Sequence, residues 1–388
     1  MSSIEVGKSV EQATVRCVIM RAGTSKGLFF HARDLPSTAA ARDALLLELM
    51  GSPDVLQIDG LGGSRPITSK VAIIAPSTRA DADVDYTFGQ VELERASVTY
   101  DANCGNICAG VGPFALDEGL VEVQPGSTRV RIYNTNTSKI IIAEVPTVGG
   151  KAQVGGRFRV PGVPGEGAEI RMNWVGTIGS STGRLLPTGS VTDRIVLEDG
   201  RAIVATLCDV ANPCVWVRAD DLGLQTSVLS ADLNRNVPLL SLLREVRGKA
   251  AVLLGFCDEW QRAAELSPTV PFVGLVAPPA DYLSLSGAAV LASDMDVLVR
   301  LIFMDRLHES IAGTGSICLA AASRIPGSVI HSVARESPEV LLIGHPSGIT
   351  AARVRASAIA SFPFVHFEEL GFSRTARRLM AGDAYFRR

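Results

Sequence analysis

Glycine and proline recur along the whole chain, 37 and 20 among 388 residues, and short apolar runs stand between them. Runs of that kind bounded by turn formers predict many short strands. They are VRCVIM (15–20), KVAIIA (70–75), RVRIY (129–133), KIIIAEV (139–145), RIVLE (194–198), AIVATL (202–207), CVWV (214–217), FVGLVA (272–277) and VLLIGH (340–345). Helical periodicity is rarer. It runs over 37–51, opening on Ser37 as a cap and closing on glycine, over 227–255 with a break near Pro238, and over 105–118 and 313–324. The chain reads as a β-rich α/β (α+β) protein.

A chain of 388 residues exceeds one ordinary core, which predicts two domains. NCGNICAGVGPFAL and AGTGSICLAAASRI each set a polar residue beside glycine ahead of a small-residue helix, one in each half. GTSKGLFF (23–30) and PTGSVTDRI (187–195) form a second matching pair, a polar loop leading into a strand. These pairs suggest a pseudo-repeat of roughly 180 residues, with domains at 1–185 and 186–388. The Gly- and Pro-rich stretch 146–185 goes with the first. Two α/β halves would then face each other with their helix N-termini across a cleft.

Composition narrows the partners. A net charge of −3 gives no pull toward phosphate backbones or anionic membranes, and 5% aromatics supply few stacking platforms. Neither nucleic acid nor membrane is expected. The 7 cysteines are odd in number and scattered through apolar surroundings, as free thiols in a reducing compartment would be. No leader and no apolar stretch near 18 residues is found, so the expected location is cytoplasmic. No metal is expected either, because Cys104-x3-Cys108 has no second ligand pair and the five histidines stand apart. G-x-S-x-G, phosphate-loop and dinucleotide spacings are all missing.

The helix start at Asn103, Cys104, Gly105 and Asn106 offers unpaired N–H groups and a positive dipole end, a place for a carboxylate. That field favours a thiolate at Cys104, although a small buried residue at a tight turn would read the same way. Ser69 and Lys70 stand at the mouth of an apolar strand, where burial would favour the neutral amine as a general base. A lysine snorkelling at a strand edge fits that sequence equally well. Thr24 and Ser25 in the glycine-held loop, and a nest over Gly313, Thr314, Gly315 and Ser316, provide further anion sites. Met304 and His308, shortly before the nest, are candidate pocket residues.

Taken together, MRAGTSKGLFF, GSPDVLQIDGLGGSRPITSKVAII, ANCGNICAGVGPFAL, LLPTGS and GHPSG resemble the PrpF family, over nearly the whole chain. That family includes 2-methylaconitate cis-trans isomerase, 4-oxalomesaconate tautomerase, methylitaconate isomerase and aconitate isomerase. The resemblance implies a diaminopimelate-epimerase-like fold, with two pseudosymmetric domains, each a mixed sheet wrapped around a central helix. It implies no cofactor and no metal. The family's catalytic lysine matches Lys70 and its active-site cysteine matches Cys104. Epimerases of this fold carry a second cysteine near 313–316, where this chain has Thr314-Gly315-Ser316. Ala22 replaces a usual glycine, and Ile107, a candidate substrate contact, and Cys108 stand where relatives have Met and Ser.

The resemblance therefore implies an allylic isomerase or tautomerase of unsaturated di- or tricarboxylates. One carboxylate would sit at Asn103–Asn106 and another at Gly313–Ser316, with Ser69, Thr24 and Ser25 holding a third. Lys70 would remove the allylic proton, and Lys70 or Cys104 would return it. The alternatives are an amino-acid or hydroxy-acid racemase of the same fold and a non-catalytic carboxylate-binding protein. A homodimer is the default assembly for this fold.

Overall fold

Strand Gln12–Ala22 turns Val18, Met20 and Ala22 to one side and Val15 and Cys17 to the other, and all five are buried. A strand apolar on both faces must be covered on both. The computed structural model, which describes residues 11–100, 103–224, 230–303, 306–337 and 339–387, shows what covers it. Helix Gly105–Asp117 lies against one face of the sheet and helix Ala39–Met50 against the other. The latter ends on Gly51 at φ 73°, as expected, but starts after Thr38 without a side-chain cap bond, so Ser37 is not the cap.

The first half pairs its strands in a fixed sequence. Gln12–Ala22 and Ser25–His31 form a hairpin, Lys70–Pro76 joins in parallel, and Val84–Val91 follows antiparallel. Gly126–Asn134 then adds in parallel and Lys139–Val148 antiparallel. The second half repeats each pairing: the hairpin Ala202–Val210 and Asn212–Arg218, then Phe272–Ala277, Val297–Phe303, Val340–His345 and Gly348–Ala358. Helix Gly313–Ser323 is its inner helix. Helix Val237–Leu253 covers the outside, begun by Asn236, whose side chain accepts from Leu239 N–H, with Pro238 in the first turn.

The two inner helices have no solvent-facing stripe, and every residue of Gly313–Ser323 is buried. A helix apolar all round belongs in a core. Small residues let the sheet approach. A Cβ on Gly110 would lie 2.7 Å from Phe29 Cζ and 3.0 Å from the Cβ of Ala22, so Ala22 packs directly on this helix.

Two expectations need correction. The C-terminal strand Ala376–Arg387 pairs along its length with Gln12–Ala22, so it lies in the first half and a division at 185/186 does not hold it. Strand Val365–Arg374 pairs with both Gly348–Ala358 and Ile170–Asn173 and thus ties the halves together. Second, the counterpart of the Gly23–Thr24 hairpin tip is Ala211, not the loop at 187–190. Strand Ser25–His31 enters after the former and Asn212–Arg218 after the latter, and each pairs in parallel with the next strand. Turns of different length blur a repeat in sequence while leaving the pairing intact. No described helix is long and apolar enough to cross a membrane.

Candidate active site

Both inner helices begin against the ring of Phe372. A Cβ on Gly105 would lie 2.9 Å from Phe372 Cζ, and one on Gly313 would lie 3.0 Å from the same atom. Two positive helix ends thus converge, each with first-turn N–H groups that have no intrahelical acceptor. Two residues on, and so on the same strand face, Arg374 enters this junction. Its Nε donates to Asn106 Oδ1 at 3.0 Å and its Nη1 to Ser373 O at 2.9 Å, while Nη2 lies 3.4 Å from a Cβ built on Gly313. Arg374 is only 6% exposed and forms no ion pair with a carboxylate among the described residues. Burial lowers its pKa from 12.5 to about 10, against the opposing influence of nearby Cys104. A buried guanidinium without a carboxylate, beside two helix N-termini, is a place prepared for an anion.

Asn106 uses both ends of its amide. Oδ1 accepts from Arg374, and Nδ2 donates to Thr24 Oγ1 at 3.0 Å. Gly23, at φ 53°, allows that approach, because a Cβ there would fall 2.1 Å from Asn106 Oδ1. Cys104 is the N-cap residue of the helix and is half-buried. Asn103, 6% exposed, has no hydrogen-bond partner for either side-chain polar atom. Such a group costs free energy unless a ligand completes it.

Lys70 reaches the same side of the sheet by strand alternation. Ala72 and Ile74 on its face pack on Gly105–Asp117, whereas Val71 and Ile73 pack on the outer helix. Its Nζ donates to Gln90 Oε1 at 2.7 Å and lies 5.0 Å from the centre of the Phe88 ring. From the other half His308 comes within reach of its charge. The imidazole pKa is lowered, chiefly by burial and in smaller part by Lys70, against Ser310 and Glu309 acting upward. Nδ1 of His308 accepts from Ser310 N–H at 3.0 Å, which leaves the proton of the neutral ring on Nε2.

The symmetry of the halves makes their chemical difference plain. Lys70 pairs with Gly27 as Phe272 pairs with Cys214, and Phe272 packs edge-on against Phe303 at 5.2 Å where Lys70 meets Gln90. Cys104 caps the first inner helix, and Ala312 caps the second. Amine and thiol therefore both belong to the first half.

The expected residues divide accordingly. Thr24, Cys104, Gly105, Asn106 and Gly313 lie at the Arg374 junction, and Asn103 precedes Cys104 in the chain. Lys70 and His308 lie within electrostatic reach of each other across the two halves. Ser69 is corrected: it is buried, its Oγ donates to Val91 O at 2.9 Å and accepts from Gln57 Nε2 at 2.7 Å, so it holds no ligand. Ile107 is likewise core, lying against Gly27. Thr314 accepts from Asn212 Nδ2 at 2.9 Å, Ser316 Oγ donates to Gly313 O at 2.7 Å, and Gly315 abuts Leu301, so their side chains are structural and only backbone donors of the first turn remain. Ser25 is buried in the hairpin, and Met304 lies outside the described residues. Sequence reading passed over Arg374, Phe372 and Gln90. Strand phase marks the last of these: Val84, Tyr86 and Phe88 are core on one face, and Gln90 is the polar residue next in that phase.

Residues 12–387 match the model of a family described as PrpF protein. A 3-methylitaconate isomerase of Eubacterium barkeri is 44% identical over 378 residues, covering 97% of this chain and 98% of its own. A 4-oxalomesaconate tautomerase of Pseudomonas putida is 38% identical over 374 residues, 96% of each. The crystal structure of a methylitaconate-delta-isomerase superposes with a TM-score of 0.87 at 44% identity over 97% of both chains. A hydroxyproline epimerase from Agrobacterium vitis gives a TM-score of 0.53 at 15% identity, over 97% of this chain and 93% of that one, which speaks to the fold alone. The architecture is thus of the epimerase type that the sequence implied.

Proposed function

Because this chain belongs to the PrpF family and is an isomerase, we propose that it moves a double bond within an unsaturated di- or tricarboxylate by a 1,3-allylic proton shift. The observation that carries this reading is the one-sidedness of the cleft. Inversion at a carbon needs proton carriers on opposite faces, and the places symmetry-related to Lys70 and Cys104 hold Phe272 and Ala312. An amino-acid or hydroxy-acid racemase is disfavoured on the same ground. A purely binding protein would need the Arg374 junction and neither amine nor thiol.

In the proposed reaction one carboxylate meets Arg374 and the first-turn N–H groups of the two inner helices. Lys70, as the free amine, removes the proton from the carbon allylic to the double bond. Negative charge spreads into the conjugated carboxylate, where the same fixed donors face it, an arrangement that stabilises developing charge without reorganisation. A proton then returns at the far end of the allyl unit from Lys70 or from Cys104. No step requires a group beyond these side chains. Methylitaconate, 2-methylaconitate, aconitate and 4-oxalomesaconate all present this allylic carboxylate pattern, and they are the proposed substrate class.

Proton NMR in D2O tests the reading with each acid supplied singly. Double-bond migration with deuterium entering the allylic carbon is expected for one of them. Lys70→Met should slow it by at least about a hundredfold, the usual weight of a general base, with the fold retained. Cys104→Ser should keep residual turnover. Exchange of an α-proton with inversion on a saturated amino or hydroxy acid, with all the unsaturated acids inert, would replace this proposal by the racemase.

A further inference from the structure

Gln90 does more at the mouth of its strand than the pairing of strands requires. Its Oε1 takes the hydrogen bond from Lys70 Nζ at 2.7 Å. Its Nε2 lies 2.9 Å from Ser69 O, 3.1 Å from Pro66 O and 3.4 Å from Val91 O. Carbonyl oxygens only accept, so the amide can be oriented in one way, with its oxygen toward the amine. Ser69, the residue before Lys70, is fixed a second time through Oγ by Gln57 and Val91. Gln57 is itself buried at φ 48°, with Oε1 accepting from Ser64 N–H at 3.1 Å. Two amides thus clamp the backbone that carries Lys70.

The second half shows that this arrangement is not needed for folding. The equivalent pair is Phe272 and Phe303, and the same strand pairing forms around it. A polar pair kept in the half that also holds Cys104 points to the reaction. A carboxylate in place of the amide would hold the lysine as ammonium, and an apolar residue would leave its chain free to rotate. A neutral acceptor orients the amine and leaves it able to take a proton. The ionisable groups that interact around this point are His308 from the second half, on which both Lys70 and Glu309 act, His345 next to it, and Cys104 and Arg374, which act on each other at the start of the first inner helix. Lys70 forms no ion pair with a carboxylate among the described residues.

We propose that Gln90 is the positioning residue for Lys70, a neutral amide that aims the amine into the cleft and keeps it available as the base. The inference rests on the base role given to Lys70 above, and the experiment separates the two. Gln90→Glu and Gln90→Leu are compared with the unaltered protein by competitive acetylation with acetic anhydride, read at the Lys70 peptide by mass spectrometry across pH. Kinetics use the acid that turns over in the NMR series. In Gln90→Glu the acetylation midpoint of Lys70 is expected to rise by about one to three pH units, as for an opposite charge in contact. The rise of kcat with pH should move with it. Gln90→Leu is expected to lower kcat at least about tenfold through misplacement of the amine, with KM held within about threefold. A folded Gln90→Glu with an unmoved midpoint, or Gln90→Leu with undiminished kcat, overturns the proposal. If the midpoint moves while Lys70→Met turns over normally, the base role fails and the Lys70–Gln90 contact stands.

Discussion

Arg374 on the strand that joins the two halves donates its Nε to Asn106 Oδ1 on the inner helix of the first, at 3.0 Å. The bond links the buried cation of the junction to the amide that also holds the Gly23–Thr24 hairpin. The second half has its own version of that clamp with the residue types exchanged, Asn212 on the hairpin donating to Thr314 on the helix. Only the first version is attached to a cation. The halves are therefore alike in framework and unlike in charge.

Arg374 should matter to binding more than to folding. Arg374→Met removes a buried charge that has no carboxylate partner, which stabilises, and strips Asn106 Oδ1 and Ser373 O of a donor, which opposes, so the melting temperature of the unliganded protein should change little. Losing a charge-assisted bond to a carboxylate, about 1.5–3 kcal/mol, should raise KM roughly tenfold to a hundredfold. Melting curves with and without the substrate check both at once: the ligand-induced rise seen with Arg374 should vanish in the variant. A variant that melts lower and still shows a normal ligand-induced rise would assign Arg374 to structure.

Cys104 should be the one reactive thiol of the folded chain. Cys17, Cys108, Cys208, Cys214, Cys257 and Cys318 are all buried, and Cys104 alone is half-exposed. Reactivity follows access as well as thiolate character. Native protein treated with iodoacetamide should gain a single carbamidomethyl group, located at Cys104 by peptide mapping, and lose activity in step with it. Substrate should protect. Labelling spread over several cysteines would contradict the packing described.

His345 should make the protein acid-sensitive. Burial, then the neighbouring His308, Arg300 and Arg374, lower its pKa from 6.5 to about 3. The folded state therefore keeps the ring neutral while the unfolded chain binds a proton below pH 6.5. Stability is full above that value and is lost as pH falls toward about 3, at up to about 1.4 kcal/mol per pH unit from this group. Its Nδ1 accepts from Ser347 N–H at 3.2 Å and its Nε2 meets Thr350 Oγ1 at 2.7 Å, bonds an amide can imitate. Urea unfolding of His345→Gln between pH 7 and 4 should show a shallower decline than the parent. Equal slopes would show that other groups govern the acid limb.

By itself the sequence marked nine of the strands and both inner helices to within a residue at their ends, and by resemblance it named the family and the candidates Lys70 and Cys104, while strands such as Val84–Val91, Val297–Phe303 and the last three of the chain were not read from it. The features it did mark are local. Apolar runs between turn formers, and glycines ahead of small-residue helices, declare themselves over ten residues. Tertiary structure alone decided the rest. Ser69 looks like a ligand in sequence because it stands beside Lys70 at a strand mouth, and Ser316 and Thr314 because they lie in a glycine-rich nest, yet each engages its hydroxyl inside the fold, with Val91, Gly313 and Asn212 respectively. Arg374 stands 268 positions from its partner Asn106, and the C-terminal strand crosses into the half where the chain began. Where a polar group finds its partner depends on which distant strands pair, and no local pattern records that.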